Sequence, residues 1–105
     1  MTNNIGTHLY MAPEILSGVG HYSQKADVYS YGILMVSLWN QKPPYSEIHV
    51  TSPSEIFESI VKRGIRPQFE SRSPESYFNL ASACLVEDPH SRPSFDEICK
   101  TVFDS

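Results

Sequence analysis

At 105 residues the chain has room for one domain with a modest core. Its formal net charge is −4 and it holds no basic run, which argues against nucleic acid or an anionic membrane as partner. Residues 1–20 lack the basic start and apolar core of a signal peptide, so Cys84 and Cys99 read as reduced, core or half-buried thiols and the expected location is cytoplasmic.

Residues 1–11 show no helical period and read as a loop. Ala12-Pro13-Glu14-Ile15-Leu16 is a single helical turn at best, with Pro13 at a tolerated first-turn position. Ser17 to Tyr22 holds Gly18 and Gly20 and is a turn. Gly18-Val19-Gly20-His21-Tyr22-Ser23 is only part of a glycine-rich phosphate pattern: it lacks the third glycine, follows no strand, and reads as a loop.

Ala26 to Trp39 is the stretch around which the remainder is organised, long enough for a helix of about four turns. Val28, Tyr29, Tyr31, Ile33, Leu34, Met35, Val36, Leu38 and Trp39 point all round the cylinder, the mark of a buried helix. It is too short, and too polar in its first turn, to be a membrane span. Ser23 is its expected N-cap, and Asp27 suits the positive helix end. Pro43 and Pro44 stop it, and residues 46–51 are an irregular polar stretch.

Three further helices follow. Ser52, Pro53 and Glu55 occupy the N-cap, N1 and N3 positions of a capping box, with Ile56, Phe57, Ile60 and Val61 as apolar stripe and Gly64 as stop. Ile65-Arg66-Pro67 is an extended exit. Ser73-Pro74-Glu75 repeats the start signal before Tyr77, Phe78, Leu80, Ala81, Cys84 and Leu85, and Glu87-Asp88-Pro89 ends that helix. Ser94-Phe95-Asp96-Glu97 is another capping box, opening a last helix that runs to about Phe103 with Phe95, Ile98, Cys99 and Val102 inward. No strand signal rises above background, so the expected fold is all-α, short helices packed around one buried central helix.

Conventional site signals are weak. The four histidines (His8, His21, His49, His90) and two cysteines match no compact ligand spacing, so no metal site is expected. Cys84 falls on an apolar helix face, where a thiol is inert. Glu87-Asp88 and Asp96-Glu97 read as a helix end and a capping box, not as an acid/base pair.

Five motifs in order carry more. Gly6-Thr7-His8-Leu9-Tyr10-Met11-Ala12-Pro13-Glu14 resembles the end of a protein-kinase activation segment, and Lys25-Ala26-Asp27-Val28-Tyr29-Ser30-Tyr31-Gly32 the start of the buried central helix of a kinase. Lys42-Pro43-Pro44-Tyr45 resembles the loop after that helix. Gly64-Ile65-Arg66-Pro67, and Cys84-Leu85 followed by Pro89-His90-Ser91-Arg92-Pro93-Ser94-Phe95, resemble the remaining landmarks of the kinase C-lobe. Gly6-Thr7 before Tyr10-Met11-Ala12-Pro13-Glu14 is similar to Ser/Thr kinases, whereas the Asp27–Gly32 run and Arg92-Pro93-Ser94-Phe95 are shared with tyrosine kinases. The mixture resembles the tyrosine-kinase-like group, whose members mostly phosphorylate Ser and Thr.

The resemblance implies roles residue by residue. Glu14 would pair with Arg92 and tie the activation segment to the last helices; read from the residues alone, Arg92 is a solvated surface arginine. Asp27 would hold the backbone of the catalytic loop. Thr7 would sit beside the catalytic Asp and help position the substrate hydroxyl, and His8, Leu9, Tyr10, Met11 and Ala12 would line the groove for the residue after the phosphoacceptor. Residues 1–105 are thus expected to be the C-lobe portion of a kinase domain.

Phosphoryl transfer needs a glycine-rich cover and a Lys on the phosphates, an Asp base, and Asp/Asn ligands for Mg²⁺. The 105 residues contain no His-Arg-Asp, Asp-Phe-Gly or Val-Ala-Ile-Lys-like run. No catalytic, cofactor-binding or metal residue is therefore assigned, and the chain alone is expected to be inactive. ATP and Mg²⁺ would belong to the complete kinase, and the expected partner is a protein substrate or the N-terminal portion of the kinase. The alternative is a short pseudokinase-like binding module that docks partners through exposed C-lobe helices. Both readings leave apolar helix surface uncovered.

Overall fold

The computed structural model describes residues 8–18, 23–46 and 52–104, and every regular element among them is helical. In chain order these are α1 (Pro13–Leu16), α2 (Gln24–Asn40), α3 (Pro53–Ile56) running directly into a π-helical turn, π1 (Phe57–Lys62), then α4 (Glu75–Cys84), a 3-10 turn (Pro89–Ser91) and α5 (Phe95–Asp104). The all-α expectation holds for the described residues.

α2 is the central element. The Ser23 hydroxyl accepts the Lys25 N–H at 3.2 Å and caps its start. At its end Gln41 turns into the left-handed region (φ 57°) and donates its N–H to the Ser37 carbonyl before the two prolines. Val28, Tyr29 and Ile33 are wholly buried, and Ala26, Met35 and Val36 nearly so. α2 packs mainly against α4, and Gly32 sets how close the two come. A Cβ at Gly32 would lie 2.7 Å from the Cys84 Cβ and 3.0 Å from Leu85 Cδ2. α2 is not buried all round as its apolar pattern suggests, and the apolar surface expected to stay uncovered in these 105 residues lies on one of its faces. Leu34 and Leu38, one turn apart, are 40% and 64% exposed, because no described element lies over that face.

The loop after α2 folds back onto the core. Tyr45 is buried although its backbone is left-handed (φ 60°), a conformation that costs a bulky residue about 1–3 kcal/mol. Trp39 Nε1 donates to the Ser71 hydroxyl at 3.0 Å, and the Asn40 side chain bonds the Gln68 carbonyl and the Glu70 N–H, each at 2.9 Å. These bonds dock the segment before α4 on the end of α2.

α3 begins as expected, with the Ser52 hydroxyl accepting the Glu55 N–H at 3.3 Å. Ile56 and Ile60 turn inward. The widening into π1 is not legible in the apolar spacing, which fits an ordinary helix. It shows in the Arg63 N–H to Glu58 carbonyl bond (3.0 Å), five residues back, and in Lys62, also five residues on, whose Nζ lies 5.9 Å from the Phe57 ring centre. Gly64 (φ 69°) ends the element.

Three expectations fail at the later helices. Ser73 does not cap α4: Pro74 takes the N-cap position, and the Ser73 hydroxyl, one residue too far back, is buried with no hydrogen-bond partner among the described residues. α4 also closes at Cys84, before Glu87. In α5 the capping box is complete, Ser94 N–H to Glu97 Oε1 at 2.7 Å and Glu97 N–H to Ser94 Oγ at 3.1 Å. Of the four residues expected inward, only Ile98 is buried, against Val28 and Cys84. Phe95, Cys99 and Val102 are exposed, although the Phe95 ring still meets Tyr31 edge to face, 6.3 Å between centres.

The α2–α4 approach generates a prediction. In an open helix, Gly to Ala gains about 1 kcal/mol. Gly32→Ala should instead cost about 1–3 kcal/mol, because the new methyl meets a Cβ that cannot swing aside. Urea denaturation measures it, and a midpoint equal to or above that of the parent contradicts the close approach.

Candidate functional site

The site is the seat of segment 8–14 against the start of α2. Asp88 shapes one wall: its Oδ1 accepts the His90 N–H (3.0 Å) and its Oδ2 the Ser91 hydroxyl (3.2 Å), closing the 3-10 turn. Arg92 follows in extended conformation and sends its side chain inward, where it is 2% exposed.

A guanidinium has five N–H donors, and each one here has an acceptor. Nε donates to the Val86 carbonyl at 2.9 Å. Nη1 donates to Glu14 Oε2 at 2.9 Å and to the Lys25 carbonyl at 3.0 Å. Nη2 donates to Glu14 Oε1 at 2.9 Å and to the Glu87 carbonyl at 3.1 Å. The Glu14–Arg92 pair is therefore present and bidentate, and the solvated-surface reading of Arg92 is wrong. Lys25 answers the bond to its carbonyl by donating Nζ to the Arg92 carbonyl at 2.7 Å. The Arg92 guanidinium also lies over the Tyr29 ring, 4.9 Å from its centre.

Burial pushes the Glu14 carboxyl up, but the hydrogen bonds from Arg92 and from its own backbone N–H, with the charges of Arg92 and Arg66, outweigh it and hold the group below its ordinary 4.5. Cys84, by contrast, is pushed up to about 11 by burial, which keeps its thiol protonated and unreactive.

The segment before Glu14 is stapled a second time. Ser30 Oγ, on α2, donates to the Tyr10 carbonyl at 2.7 Å. Met11 N–H closes a turn on the His8 carbonyl at 3.1 Å. Ala12 is buried, and Leu9 and Tyr10 pack against the core. His8, Leu9, Tyr10, Met11 and Ala12 thus form one fixed strip. Asp27 lies half-buried in the first turn of α2 and is not without a partner. Thr7 lies outside the described residues. Among the described residues no group of three or more His, Cys, Asp or Glu could hold a metal ion, and no helix is long and apolar enough to cross a membrane.

Sequence reasoning missed four contributors: Lys25, Tyr29, Ser30 and Arg66. Each acts through a carbonyl or a ring contributed by a distant part of the chain, and no local pattern marks such a contact. The arrangement is a turn, closed by the Met11 N–H on the His8 carbonyl, held against a helix start.

Comparison with known proteins agrees with that geometry. A family model described as protein kinase domain matches residues 1–103. A probable LIM domain-containing serine/threonine-protein kinase of Dictyostelium discoideum is 39% identical over 102 residues, covering 97% of this chain and 15% of that protein. Another probable serine/threonine-protein kinase of that organism is 38% identical over 97 residues, covering 92% of the chain and 6% of the protein. Mitogen-activated protein kinase kinase kinase 7 of Homo sapiens is 37% identical over 102 residues, covering 97% of the chain and 16% of the protein. The chain therefore spans only a small part of the length of the curated relatives it matches.

Leaving either partner of the buried pair alone costs about 3–5 kcal/mol, so Arg92→Ala and Glu14→Ala should each destabilise the chain by that amount at neutral pH. Arg92→Lys should recover little, since an ammonium cannot supply the fork or five donors. The Glu14 pKa is lower folded than unfolded, so its stabilisation is full above about pH 4.5 and is lost as pH falls through the folded value. Glu14→Gln should flatten the acid limb of stability against pH; denaturation at stepped pH reads this, and an acid limb as steep as the parent's contradicts it.

Proposed function

The chain belongs to the protein kinase domain family, and we propose that it is the C-terminal part of a domain that transfers phosphoryl from ATP to serine or threonine of a protein substrate. The observation that carries this reading is the saturated Glu14–Arg92 pair, which fixes segment 8–14 beside α2. The relatives support the choice of hydroxyl, being described as serine/threonine-protein kinases. The mixture of motifs supports the tyrosine-kinase-like group.

Positioning is most of what the protein contributes to phosphoryl transfer. On this reading the strip His8–Ala12 seats the substrate residue after the phosphoacceptor, Thr7 holds the acceptor hydroxyl toward the catalytic Asp, and Asp27 anchors the catalytic loop. ATP and Mg²⁺ are held by groups outside these 105 residues, where the phosphate cover, the Lys, the Asp base and the metal ligands reside. The chain alone is accordingly inactive. Leu34, Leu38, Phe95 and Val102 are all more than a third exposed, which supports a covering partner. The N-terminal portion of the kinase is the first choice; in the alternative reading, a binding module, another protein takes that place.

Calorimetric titration of the chain with Mg·ATP should give no saturable heat up to about 1 mM, the range of weak binding. A longer natural product carrying these residues should transfer labelled phosphate to Ser or Thr. Saturable ATP binding by the chain alone, or transfer by the longer product to Tyr only, sinks the corresponding half of the proposal.

A further inference from the structure

Arg66 has no role in the proposed function beyond its charge, yet it touches two of the elements that flank the Glu14–Arg92 pair and the ring beneath Arg92. Its Nε donates to the Leu85 carbonyl at 3.1 Å, and its Nη1 to the Ile60 carbonyl at 3.1 Å and the Ile65 carbonyl at 3.0 Å. Arg92 takes the next two carbonyls, Val86 and Glu87, so two guanidiniums share three consecutive carbonyls at the end of α4. These carbonyls belong to the cap residue of α4, which closes at Cys84, and the two residues after it, so both cations also lie by the partial negative charge of a helix C-terminus. The two also share a ring. Arg66 lies over Tyr29 at 5.4 Å from the centroid and Arg92 at 4.9 Å, and Tyr29 is wholly buried. Ile60 belongs to π1, the element that packs against α1, and α1 carries Glu14. Among the described residues Arg66 makes no ion pair. Its charge is met by carbonyl dipoles, the ring face and, at longer range, the Glu14 carboxylate, which it helps to keep ionised.

We propose that Arg66 is a positioning residue for segment 8–14, acting on Glu14 through the Tyr29 ring, the 85–87 carbonyls it divides with Arg92, and the π1 turn. Arg92 makes the direct bond; Arg66 fixes the ring and the backbone against which Arg92 is aligned. A shift of π1 therefore reaches Glu14 without any contact between π1 and the Arg92 side chain. That the segment seats a protein substrate rests on the phosphoryl-transfer reading; that Arg66 seats the segment does not.

The test uses the 105-residue chain and needs no catalysis. Amide exchange is followed at Ile15 and Leu16, whose N–H groups bond the Ala12 carbonyl, and at Ile98, bonded to Ser94 in α5, as remote reference. The Glu14 side-chain carboxyl is titrated by NMR alongside. Arg66→Gln should speed exchange at Ile15 and Leu16 by about tenfold more than at Ile98, as local opening does, and move the Glu14 titration to higher pH. Arg66→Lys, which keeps the charge and the fold but not the fork, should show the selective exchange with the Glu14 titration nearly in place. Equal acceleration at all three amides in Arg66→Lys would mean a general loss of stability and overturns the proposal, as does parental exchange at α1. Neither outcome bears on whether the longer protein transfers phosphate.

Discussion

The fold is arranged around the burial of one guanidinium. Arg92 is the largest wholly buried side chain among the described residues, and a cation taken out of water is tolerated only if the protein replaces its hydration completely. Five donors require acceptors in one plane, at one depth, from several directions. They come from α1 (Glu14), the start of α2 (Lys25) and the segment after α4 (Val86 and Glu87). The third piece lies some sixty residues beyond the first two in sequence, so meeting the needs of Arg92 joins the two ends of the described chain. A buried pair is not by itself a gain in net stability, because apolar packing of the same volume often does as well energetically. What apolar packing would not supply is a direction for Glu14, and with it for the strip His8–Ala12.

Around that constraint the packing is uneven. On one side of α2 the contact with α4 is as close as backbone allows, with Gly32 against Cys84. Tyr77 reaches over to donate its hydroxyl to the Met35 carbonyl at 2.7 Å. On another side Leu34 and Leu38 have nothing over them among the described residues, and Phe95 and Val102 of α5 are likewise exposed. The Arg92 guanidinium lies over the wholly buried Tyr29, whereas Ser30, which holds the Tyr10 carbonyl, is one turn before exposed Leu34. The geometry of the site is fixed by directional bonds and a shared ring, so it depends less on full coverage of the central helix than a purely apolar site would.

Much of this was legible in the sequence, and the failures have a common cause. The caps at Ser23, Ser52 and Ser94, the stop at Gly64 and the position of the central helix are local, with their signal within four or five residues. The Glu14–Arg92 pair, separated by 78 residues, was legible only through the resemblance; nothing near Arg92 distinguishes it from a surface arginine. Ser73 misled because Ser-Pro-Glu fits a helix start at two registers one residue apart, and tertiary contacts chose the later one. The inward face assigned to α5 failed because periodicity tells which side of a helix is apolar, not whether anything covers it. Arg66 and Tyr29 were missed because a cation over a ring and a side chain bonding distant carbonyls leave no periodic trace.

The π-turn ties these observations together. Within an α-helix each N–H bonds four residues back; π1 shifts that register, so Arg63 bonds Glu58, five back, and beyond the left-handed Gly64 the Ile65 N–H closes the end on the Ser59 carbonyl, six back. The wider turn brings the chain out at Gly64 with the Ile60 carbonyl facing the next arginine. An ordinary helical end would present a different carbonyl and begin the exit strand at a different angle. Arg66 would then have to choose between π1 and the end of α4. The irregular turn lets one side chain bond both, which is a physical reason for a less favourable helix to persist at this place. It also makes π1 the part of the domain where a small change of register would be felt at Glu14.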